Sequence, residues 1–316
     1  MKMKITDAER KKVPLRMLLT GPPGCGKTLT ALCIAKGIQQ ITGFEPLIID
    51  SESQSSMHYA CNKNEDEEIA RKYKFKHLDL YVPKVENFIA AIKYARDAGY
   101  KNLIIDSISH EWMDILEQVD DLTKSKYKDK GGGFRAWGDG TTLHRRFVYA
   151  ILTYPGHVIC TCRSKIKHDL VERPNGTKAV KVLGLSPEQR NNTPYEFSIQ
   201  FDGIDTETNT FHCSKDRTNG LFQGKDFEKP GEEIGIEIVN WLMAGSGDEM
   251  YIQVDPEILE ARIAITEGLE LMIPEFAKKI KENLGCDFNK CDDPDKLHQV
   301  TTWLRSQYKV IKNRRK

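Results

Sequence analysis

The chain has 316 residues, 39% of them hydrophobic, so it can bury one large core and a smaller appendage. Its net charge is +1, so it has no overall positive charge that would indicate nucleic-acid binding. No apolar stretch approaches the roughly 20 residues that span a bilayer, and the N-terminal residues, MKMKITDAERKK, lack the apolar core of a signal peptide. The eight cysteines are scattered without a CxxC pair, as in a reducing compartment, so we expect a cytoplasmic protein with no membrane partner.

The first 245 residues alternate short β-rich runs with helical patterns, which predicts an α/β fold with a mostly parallel central sheet flanked by helices. In chain order, strands are predicted at residues 15–20, 46–50, 77–81, 102–106, 157–162, 195–201 and 210–214, and helices at 29–41, 84–97 and 141–152. Small and polar residues at 244–249 predict a linker. Helical spacing at 258–272 and 276–284 then predicts a small C-terminal helical domain, so the predicted domains are a core at 1–245 and a tail at 250–316.

A complete phosphate-binding loop, GPPGCGKT, occupies residues 21–28 between a predicted strand and a helix-like run. Gly21 and Gly26 let the backbone curl so that successive N–H groups point at phosphate oxygens, at the positive end of the following helix. We expect Lys27 to reach the β- and γ-phosphates and the Thr28 hydroxyl to ligate Mg²⁺. The sequence therefore predicts a site for a nucleoside triphosphate. The residues expected to contact the nucleotide are Gly21, Pro22, Pro23, Gly24, Cys25, Gly26, Lys27, Thr28 and Leu29.

A second motif is the apolar strand LIID that ends in Asp106. An aspartate at the carboxyl end of a parallel strand that neighbours the phosphate-loop strand holds Mg²⁺, usually through water. Many buried strands end in aspartate, but beside a phosphate loop the motif indicates that Asp106 is a magnesium ligand. In ATPases of the AAA+ type the catalytic glutamate follows this aspartate directly, whereas here Ser107 follows it. The general base must therefore lie elsewhere.

The candidate general base is Glu52, which stands just past the predicted strand 46–50 in the sequence D-S-E. A glutamate just beyond a strand next to the phosphate loop can orient the attacking water. Glu111, on the helix after the magnesium strand, is the second candidate. Alternatively, Glu52 is a carboxylate near the start of a helix that begins near Ser53, which is a common position and is compatible with catalysis.

Two segments combine positive charge with turn-forming residues. Residues 123–140, TKSKYKDKGGGFRAWGDG, interleave lysines with aromatic residues around three adjacent glycines, which predicts a mobile basic loop. Residues 165–181, KIKHDLVERPNGTKAVK, contain the Asn-Gly signal of a hairpin turn. Such segments suit single-stranded nucleic acid, although an ordinary surface loop and an ordinary hairpin have the same composition. The residues expected to bind single-stranded DNA are Lys126, Lys128, Arg135 and Trp137.

This set of motifs resembles the RecA-like ATPases, in which a D-x-E after the second strand supplies the base. The stretches IIDSISHEW (104–112), HVICTCRSK (157–165) and SPEQRNNTPYEF (186–197) are more closely similar to phage-encoded RecA-like ATPases of an AAA-domain type, some of which act as single-strand annealing recombinases. The resemblance covers about residues 13–245. It implies a RecA-like core and ATP as the nucleotide, and it places both basic segments where that superfamily carries its DNA-binding loops.

The resemblance also implies roles for three cationic residues. Lys215-Asp216-Arg217 is similar to the Lys-x-Arg that RecA-like rings and filaments insert into a neighbour's active site, with Arg217 favoured over Lys215 as the finger. This implies a homo-oligomer, either a ring or a filament, and a solvated surface triplet is the alternative. Arg163 ends the strand where RecA-like proteins place a γ-phosphate sensor, often Gln or Asn. It is therefore either a sensor or a structural salt-bridge partner.

Together these features predict a RecA-like ATPase that uses ATP and Mg²⁺, binds single-stranded DNA and acts in phage DNA recombination or single-strand annealing, in the host cytoplasm. A single-strand-binding protein is a candidate partner of the tail. A ring translocase, helicase or loader motor is one alternative, and unwinding of a forked duplex would identify it. A nucleotide-gated DNA-binding scaffold is another, marked by near-zero turnover with ATP-dependent assembly.

Overall fold

The computed structural model describes residues 7–62, 72–129, 131–172, 178–246, 275–284, 291 and 293–303, and it describes their side chains except at 166–172, 178–184 and 275–279. The chain divides into two compact units. The larger is Glu9–Ile252, and the smaller combines Met1–Ala8 with Gln253–Lys316.

In its described part the larger unit has nine strands and five α-helices. The strands are β1 (Arg16–Gly21), β2 (Pro46–Asp50), β3 (Lys76–Asp79), β4 (Asn102–Asp106), β5 (His157–Glu172), β6 (Lys178–Pro187), β7 (Ile199–Asp205), β8 (Thr210–Asp216) and β9 (Asp226–Glu228). The helices are α1 (Lys27–Thr42), α2 (Val85–Asp97), α3 (Ser109–Ser125), α4 (Gly132–Leu152) and α5 (Glu232–Met243). Short 3₁₀ turns lie at Ser55–Tyr59 and Thr193–Glu196.

The strands form one sheet in the order β3-β2-β4-β5-β1-β7-β8-β9, with β6 paired to β5. The pairs from β3 to β7 along this order are parallel, and the pairs β5–β6, β7–β8 and β8–β9 are antiparallel. The predicted α/β fold with a mostly parallel sheet flanked by helices is confirmed.

The strand order corrects one expectation. We expect from the sequence that the strands preceding Glu52 and ending in Asp106 neighbour the phosphate-loop strand, but β5 separates β1 from β4, and β2 lies beyond β4. Each of these strands is apolar on both faces, so the sequence does not encode which of them pair. Because all of them are parallel, their carboxyl ends still meet at one edge of the sheet.

Helices cover both faces of the sheet. On one face, α2 and α4 meet through Phe88 and Phe147, whose ring centroids are 5.7 Å apart. Leu103 and Ile105 of β4 belong to this layer, whereas Ile104 between them packs in the opposite layer with α1 and α5. This alternation is typical of a strand that is buried on both sides.

The basic segment 123–140 is mostly helical, which contradicts the predicted mobile loop. α3 and α4 include most of it, and two of its five glycines, Gly132 and Gly140, are closely packed. A Cβ on Gly132 would lie 1.8 Å from the carbonyl oxygen of Tyr127, and one on Gly140 would lie 2.5 Å from the Val119 side chain. Gly140 is therefore required by the contact between α3 and α4, and Gly132 by the connection between these helices.

Two strands, β7 and β5, differ most from their predicted bounds. The strand predicted at 195–201 begins only at Ile199, because Pro194 lacks the N–H of a strand residue and starts a 3₁₀ turn instead. β5 continues past residue 162 to Glu172 and pairs with β6, which confirms the predicted hairpin. The turn residues of that hairpin, Asn175 and Gly176, lie outside the described residues.

In the smaller unit, α6 (Glu275–Leu284) confirms the helix predicted at 276–284, and residues 294–303 are also helical. The helix predicted at 258–272 lies outside the described residues. Within the ranges that the structure describes, no helix is both long enough and apolar enough to cross a membrane.

His157, at the start of β5, is a buried polar side chain that makes stability depend on pH. Its Nδ1 accepts a hydrogen bond from the Leu15 amide at 3.1 Å, so its proton is on Nε2, which has no partner among the described atoms. Burial, and then the charge of Arg16, lowers the pKa of His157 from 6.5 to about 4. A second proton on Nδ1 would also break the bond to Leu15. The folded state therefore requires the neutral ring.

We expect the free energy of unfolding to fall by about 2 kcal/mol between pH 7 and pH 5 because of His157. The unfolded chain takes up a proton below the ordinary pKa, whereas the folded chain does so only near the lowered one, so stability present above pH 6.5 is lost on acidification. Urea denaturation across this range measures the effect. His157→Gln, which cannot titrate, should give a flatter profile; parallel profiles for variant and parent would contradict the assignment.

Candidate active site

The phosphate loop lies at the carboxyl end of β1 and leads into α1. Gly26 stands before the helix with a left-handed φ of 91°, a conformation that a side chain would strain. Its carbonyl accepts the Thr30 amide at 2.9 Å, the first bond of the helix. Nζ of Lys27 donates to the carbonyl oxygens of Gly21 at 3.0 Å and Pro22 at 2.9 Å. The ammonium is thus held against the loop, at the positive end of α1, where phosphates bind.

The β7–β8 hairpin packs against the phosphate loop. Cys25 is fully buried, and its Sγ would lie 2.4 Å from a Cβ on Gly21 and 2.8 Å from one on Gly203. Asn209, in the turn after β7, donates from Nδ2 to the carbonyl of Gly24 at 3.2 Å. Neither Gly203 nor Asn209 has a signal in the sequence that marks it as loop support. The remaining predicted contacts are on the outside of the loop, where Pro23 and Leu29 are exposed.

Asp106 at the end of β4 reaches the start of α1. Its Oδ2 accepts a hydrogen bond from the hydroxyl of Thr28 at 2.7 Å, and its Oδ1 accepts one from the hydroxyl of Thr161. Burial raises the pKa of Asp106 to about 6, against the two hydrogen bonds, which lower it. A buried carboxylate beside a threonine hydroxyl is the oxygen donor set that Mg²⁺ takes from a protein when phosphates and water supply its other ligands. Thr28 and Asp106 therefore fit the predicted ion.

Glu52 is held next to Asp106 by a pair of hydrogen-bond donors. Its Oε1 accepts from the Ser107 hydroxyl at 2.8 Å and from Nε of Arg163 at 3.0 Å, and its Oε2 accepts from Nη2 of Arg163 at 2.9 Å. Burial opposes its charge, but the bonds from Arg163 and Ser107 prevail and lower the pKa of Glu52. Glu52 is thus ionised at neutral pH and able to accept a proton.

Asp50 shapes the turn that carries Glu52. Its carboxylate is fully buried and accepts hydrogen bonds from the amide of Glu52 at 2.7 Å and from the amide of Ser56 at 3.0 Å. Between them, Ser53 and Gln54 have left-handed φ values of 57° and 64°. A helix starting near Ser53 is therefore not present; the chain makes a strained turn before the 3₁₀ segment.

Arg163 is the link between Glu52 and the phosphate loop. It stands opposite Gly21 in the parallel register of β1 and β5. Its amide donates to Oγ of Ser109 at 2.9 Å, which fixes the middle of β5 to the start of α3. The side chain forms a two-point ion pair with Glu52 and is 38% exposed. The structure therefore shows the salt bridge, beside the loop where a γ-phosphate sensor would stand.

Glu111, the second candidate base, belongs to a buried network instead. Its Oε1 pairs with Nδ1 of His144 at 3.0 Å, and its Oε2 accepts from Nε2 of Gln189 at 3.0 Å. The other ring nitrogen of His144 meets the Thr193 hydroxyl at 3.1 Å. Both carboxylate oxygens are occupied, and none of these partners belongs to the phosphate loop. The network instead joins α3, α4 and the segment after β6.

Lys215 and Arg217 lie at the end of the strands opposite to the end that carries the phosphate loop. Through β7, Asp216 aligns with Met17, which precedes Gly21 by four residues in β1. At about 3.3 Å per residue, Asp216 is therefore about 13 Å from Gly21 along the strand direction. Both side chains donate to the carbonyl of Tyr195, Lys215 at 2.8 Å and Arg217 at 3.1 Å. They cannot serve the active site of their own chain from this position.

Two of the predicted DNA-binding residues, Lys126 and Arg135, lie together over the ring of Tyr127. Lys126 pairs with Asp139 at 3.4 Å, and Arg135 pairs with Asp129. Lys128 is exposed on the short connection between α3 and α4. Trp137 instead lies in a cleft with Trp112, 6.1 Å between ring centroids. The other cleft residues come from distant parts of the chain, and only Lys165 lies in a segment that the sequence predicts to bind nucleic acid. They are Lys165, Gln189, Arg190, Asn191 and Asn192.

The chain is similar to one protein family and to part of a viral polyprotein. A family described as AAA domain matches residues 13–218, a range that contains the phosphate loop, Asp106 and Arg163. The chain is also 30% identical over 124 residues to the genome polyprotein of Feline calicivirus (strain Cat/United States/Urbana/1960). That match covers 38% of this chain and 6% of the polyprotein, so the chain spans a small part of the length of this relative.

Proposed function

The chain belongs to the AAA domain family, whose members are nucleotide-dependent ATPases, and on this premise we propose that it is a magnesium-dependent ATP hydrolase that binds single-stranded DNA and acts in recombination or single-strand annealing. The observation that carries the proposal is the contact of 2.7 Å between Thr28 and Asp106 beside the phosphate loop. The resemblance to phage-encoded RecA-like ATPases supports the finer part.

In this proposal the loop amides and Lys27 hold the β- and γ-phosphates. Thr28 and Asp106 hold Mg²⁺, which when bound neutralises charge on the phosphates. Glu52 orients the attacking water and accepts a proton from it. The oxygen of that water bonds to the γ-phosphorus while the bond from the γ-phosphorus to the β–γ bridging oxygen breaks. ADP and phosphate leave. Before nucleotide binds, the hydrogen bonds from Arg163 and Ser107 lower the pKa of Glu52 and keep its carboxylate ionised.

Glu52 must be released from Arg163 before it can act as a base. Arg163 stands opposite Gly21, so a γ-phosphate in the loop offers its guanidinium a second anionic partner. In the proposal Arg163 turns to that phosphate and frees the carboxylate of Glu52. Arg163 would then be both the salt-bridge partner and the γ-phosphate sensor. The pair is partly exposed, with Glu52 at 24%, so exchange of partners requires no unfolding.

A homo-oligomer completes the site. Arg217 is exposed and far from its own phosphate loop, so we propose that it enters the active site of a neighbouring subunit, with Lys215 beside it. Burial, and then the charge of Arg217, lowers the pKa of Lys215 to about 8. Arg217 therefore carries the more persistent charge of the two. A head-to-tail arrangement gives a ring or a filament.

A nucleotide-gated scaffold is the second candidate, because the ion pair of Glu52 with Arg163 holds the proposed base in an inactive arrangement. If ATP fails to break this pair, the protein binds nucleotide and assembles without turnover. Near-zero hydrolysis with ATP-dependent assembly would distinguish this function. A translocase would instead unwind a forked duplex. In either case a single-strand-binding protein is a proposed partner.

The steady-state ATPase rate tests the proposal across protein concentration, with and without single-stranded DNA. We expect the rate per subunit to rise with concentration and with DNA, and the stimulation by DNA to fade between about 50 and 200 mM salt as phosphate contacts weaken. Lys27→Ala should reduce nucleotide binding and turnover to background, because it removes the cation that meets the phosphates. A slow rate that is indifferent to DNA and concentration would favour the scaffold.

A further inference from the structure

A cleft lies between α3, α4 and the segment that follows β6, away from the phosphate loop. It encloses about 390 Å³, within the range of small-ligand sites. We name it the tryptophan cleft. The residues that line it include Trp112, Trp137, Lys165, Arg190, Asn191 and Asn192.

The two indoles differ in how firmly they are held. Trp112 packs edge-on against His144, with 5.5 Å between ring centroids, and His144 is bound to the buried Glu111. Trp137 leans on Trp112 at an interplanar angle of 37° and is 42% exposed. One ring is therefore fixed, and the other presents an open aromatic surface. A flat aromatic ligand can stack there with little cost in side-chain entropy.

The cations of the cleft are available to a ligand. Within the described part of the chain neither Lys165 nor Arg190 has a carboxylate partner. Lys126 and Arg135, by contrast, are paired with acidic residues outside the cleft. Positive charge beside an exposed indole is the combination that binds a base together with its flanking phosphates.

The floor of the cleft includes Gln189, which is buried and hydrogen-bonded. Nε2 of Gln189 donates to the carbonyl of Ile108 at 3.0 Å and to Glu111 at 3.0 Å. Ile108 follows the magnesium ligand Asp106 by two residues. Lys165 follows Arg163 by two residues along β5, so both side chains are on the same face of the strand. The cleft and the ATP site therefore share β5 and the segment between β4 and α3.

We propose that the tryptophan cleft binds an unpaired base of single-stranded DNA, stacked on Trp137, with Lys165 and Arg190 at the adjacent phosphates. This inference rests on the proposed function for its DNA partner, and it places that partner at the cleft rather than along the loop predicted from the sequence. Asn191 and Asn192 would face the edges of the base.

The test measures binding of a labelled oligothymidylate to the full-length protein by fluorescence anisotropy, beside an abasic oligonucleotide of equal length. Trp137→Ala should weaken binding of the oligothymidylate on the order of 10- to 100-fold and leave binding of the abasic strand unchanged. Trp137→Phe should retain most of the affinity. Phe134→Ala is the matched control, because Phe134 is on the same helix and 87% exposed but does not line the cleft.

The charges are tested separately. Joint replacement of Lys165 and Arg190 by glutamine should lower the slope of log affinity against log salt by about 1.4, that is about 0.7 for each phosphate contact to a single strand. Melting temperatures of all variants establish that they are folded. This measurement keeps the inference testable if Trp137→Ala fails to fold.

Four results would overturn the inference. Equal binding by Trp137→Ala and the parent would place the DNA elsewhere while the proposed function stands. An equal loss with Phe134→Ala, or displacement of the oligonucleotide by an equal concentration of free thymidine monophosphate, would exclude a dedicated site for a base of DNA. If the parent binds no oligonucleotide at low salt, the DNA-binding part of the proposed function fails together with the cleft.

Discussion

Glu52→Gln is expected to lower kcat for ATP hydrolysis by about 10²- to 10⁴-fold while ATP affinity stays within about threefold, because the amide cannot accept the proton of the attacking water. The substitution keeps the shape of the side chain and a hydrogen-bond acceptor for Ser107, so the turn held by Asp50 should persist. Steady-state turnover and equilibrium binding of a fluorescent ATP analogue measure the two quantities.

Glu111→Gln distinguishes the two candidate bases. Glu111 is fully buried against His144 and Gln189, so this variant should lower the melting temperature and retain turnover within a few-fold. If Glu52→Gln turns over normally and Glu111→Gln does not, the base is Glu111. Loss of ATP binding by Glu52→Gln would mean that Glu52 supports the site rather than the chemistry.

Arg217→Ala is expected to reduce kcat by about 10³-fold or more, the range seen when a cation that meets the γ-phosphate in the transition state is lost. Because Arg217 and the phosphate loop are at opposite ends of the strands, we expect the lost cation to be one that acts in the site of a neighbouring subunit. The affinity for ATP should change little. Turnover at saturating ATP and at high protein concentration measures the effect.

Mixing two inactive variants tests the location of the finger. Lys27→Ala subunits retain Arg217, and Arg217→Ala subunits retain the phosphate loop, so their mixture should recover part of the activity. Lys225→Ala is the matched control, because Lys225 is an exposed cation in the loop after β8 whose Nζ donates only to the Leu221 carbonyl among described residues. No recovery in a mixture of assembled subunits would contradict action in trans.

Much of the active site could be predicted from local sequence. The phosphate loop needs its glycines, lysine and threonine at fixed spacing, because backbone amides and a helix N-terminus bind the phosphates. Asp106 and Glu52 were also predictable, since each stands at or just past the carboxyl end of a parallel strand, and those ends meet at one edge. The wrong strand neighbours did not affect this result, because any order of parallel strands brings the same ends together.

The basic segment 123–140 shows where composition misleads. Lysines and adjacent glycines are typical of mobile loops, yet here Gly140 allows the contact between α3 and α4, and Gly132 the connection between these helices. The same packing turns Lys126 and Arg135 toward carboxylates and Trp137 toward Trp112. Sequence spacing contains no information on such partners, because they depend on how helices dock.

The sequence by itself determined the class of the site and the α/β alternation, because a phosphate loop and apolar periodicity are properties of neighbouring residues. Only the tertiary structure decided that Arg163 is paired with Glu52, that Glu111 is buried in a separate network, and that Arg217 is at the end of the strands opposite to the phosphate loop. The physical reason is that these contacts join residues distant in the chain, and they form only where strand order and helix packing bring the groups within a few ångströms.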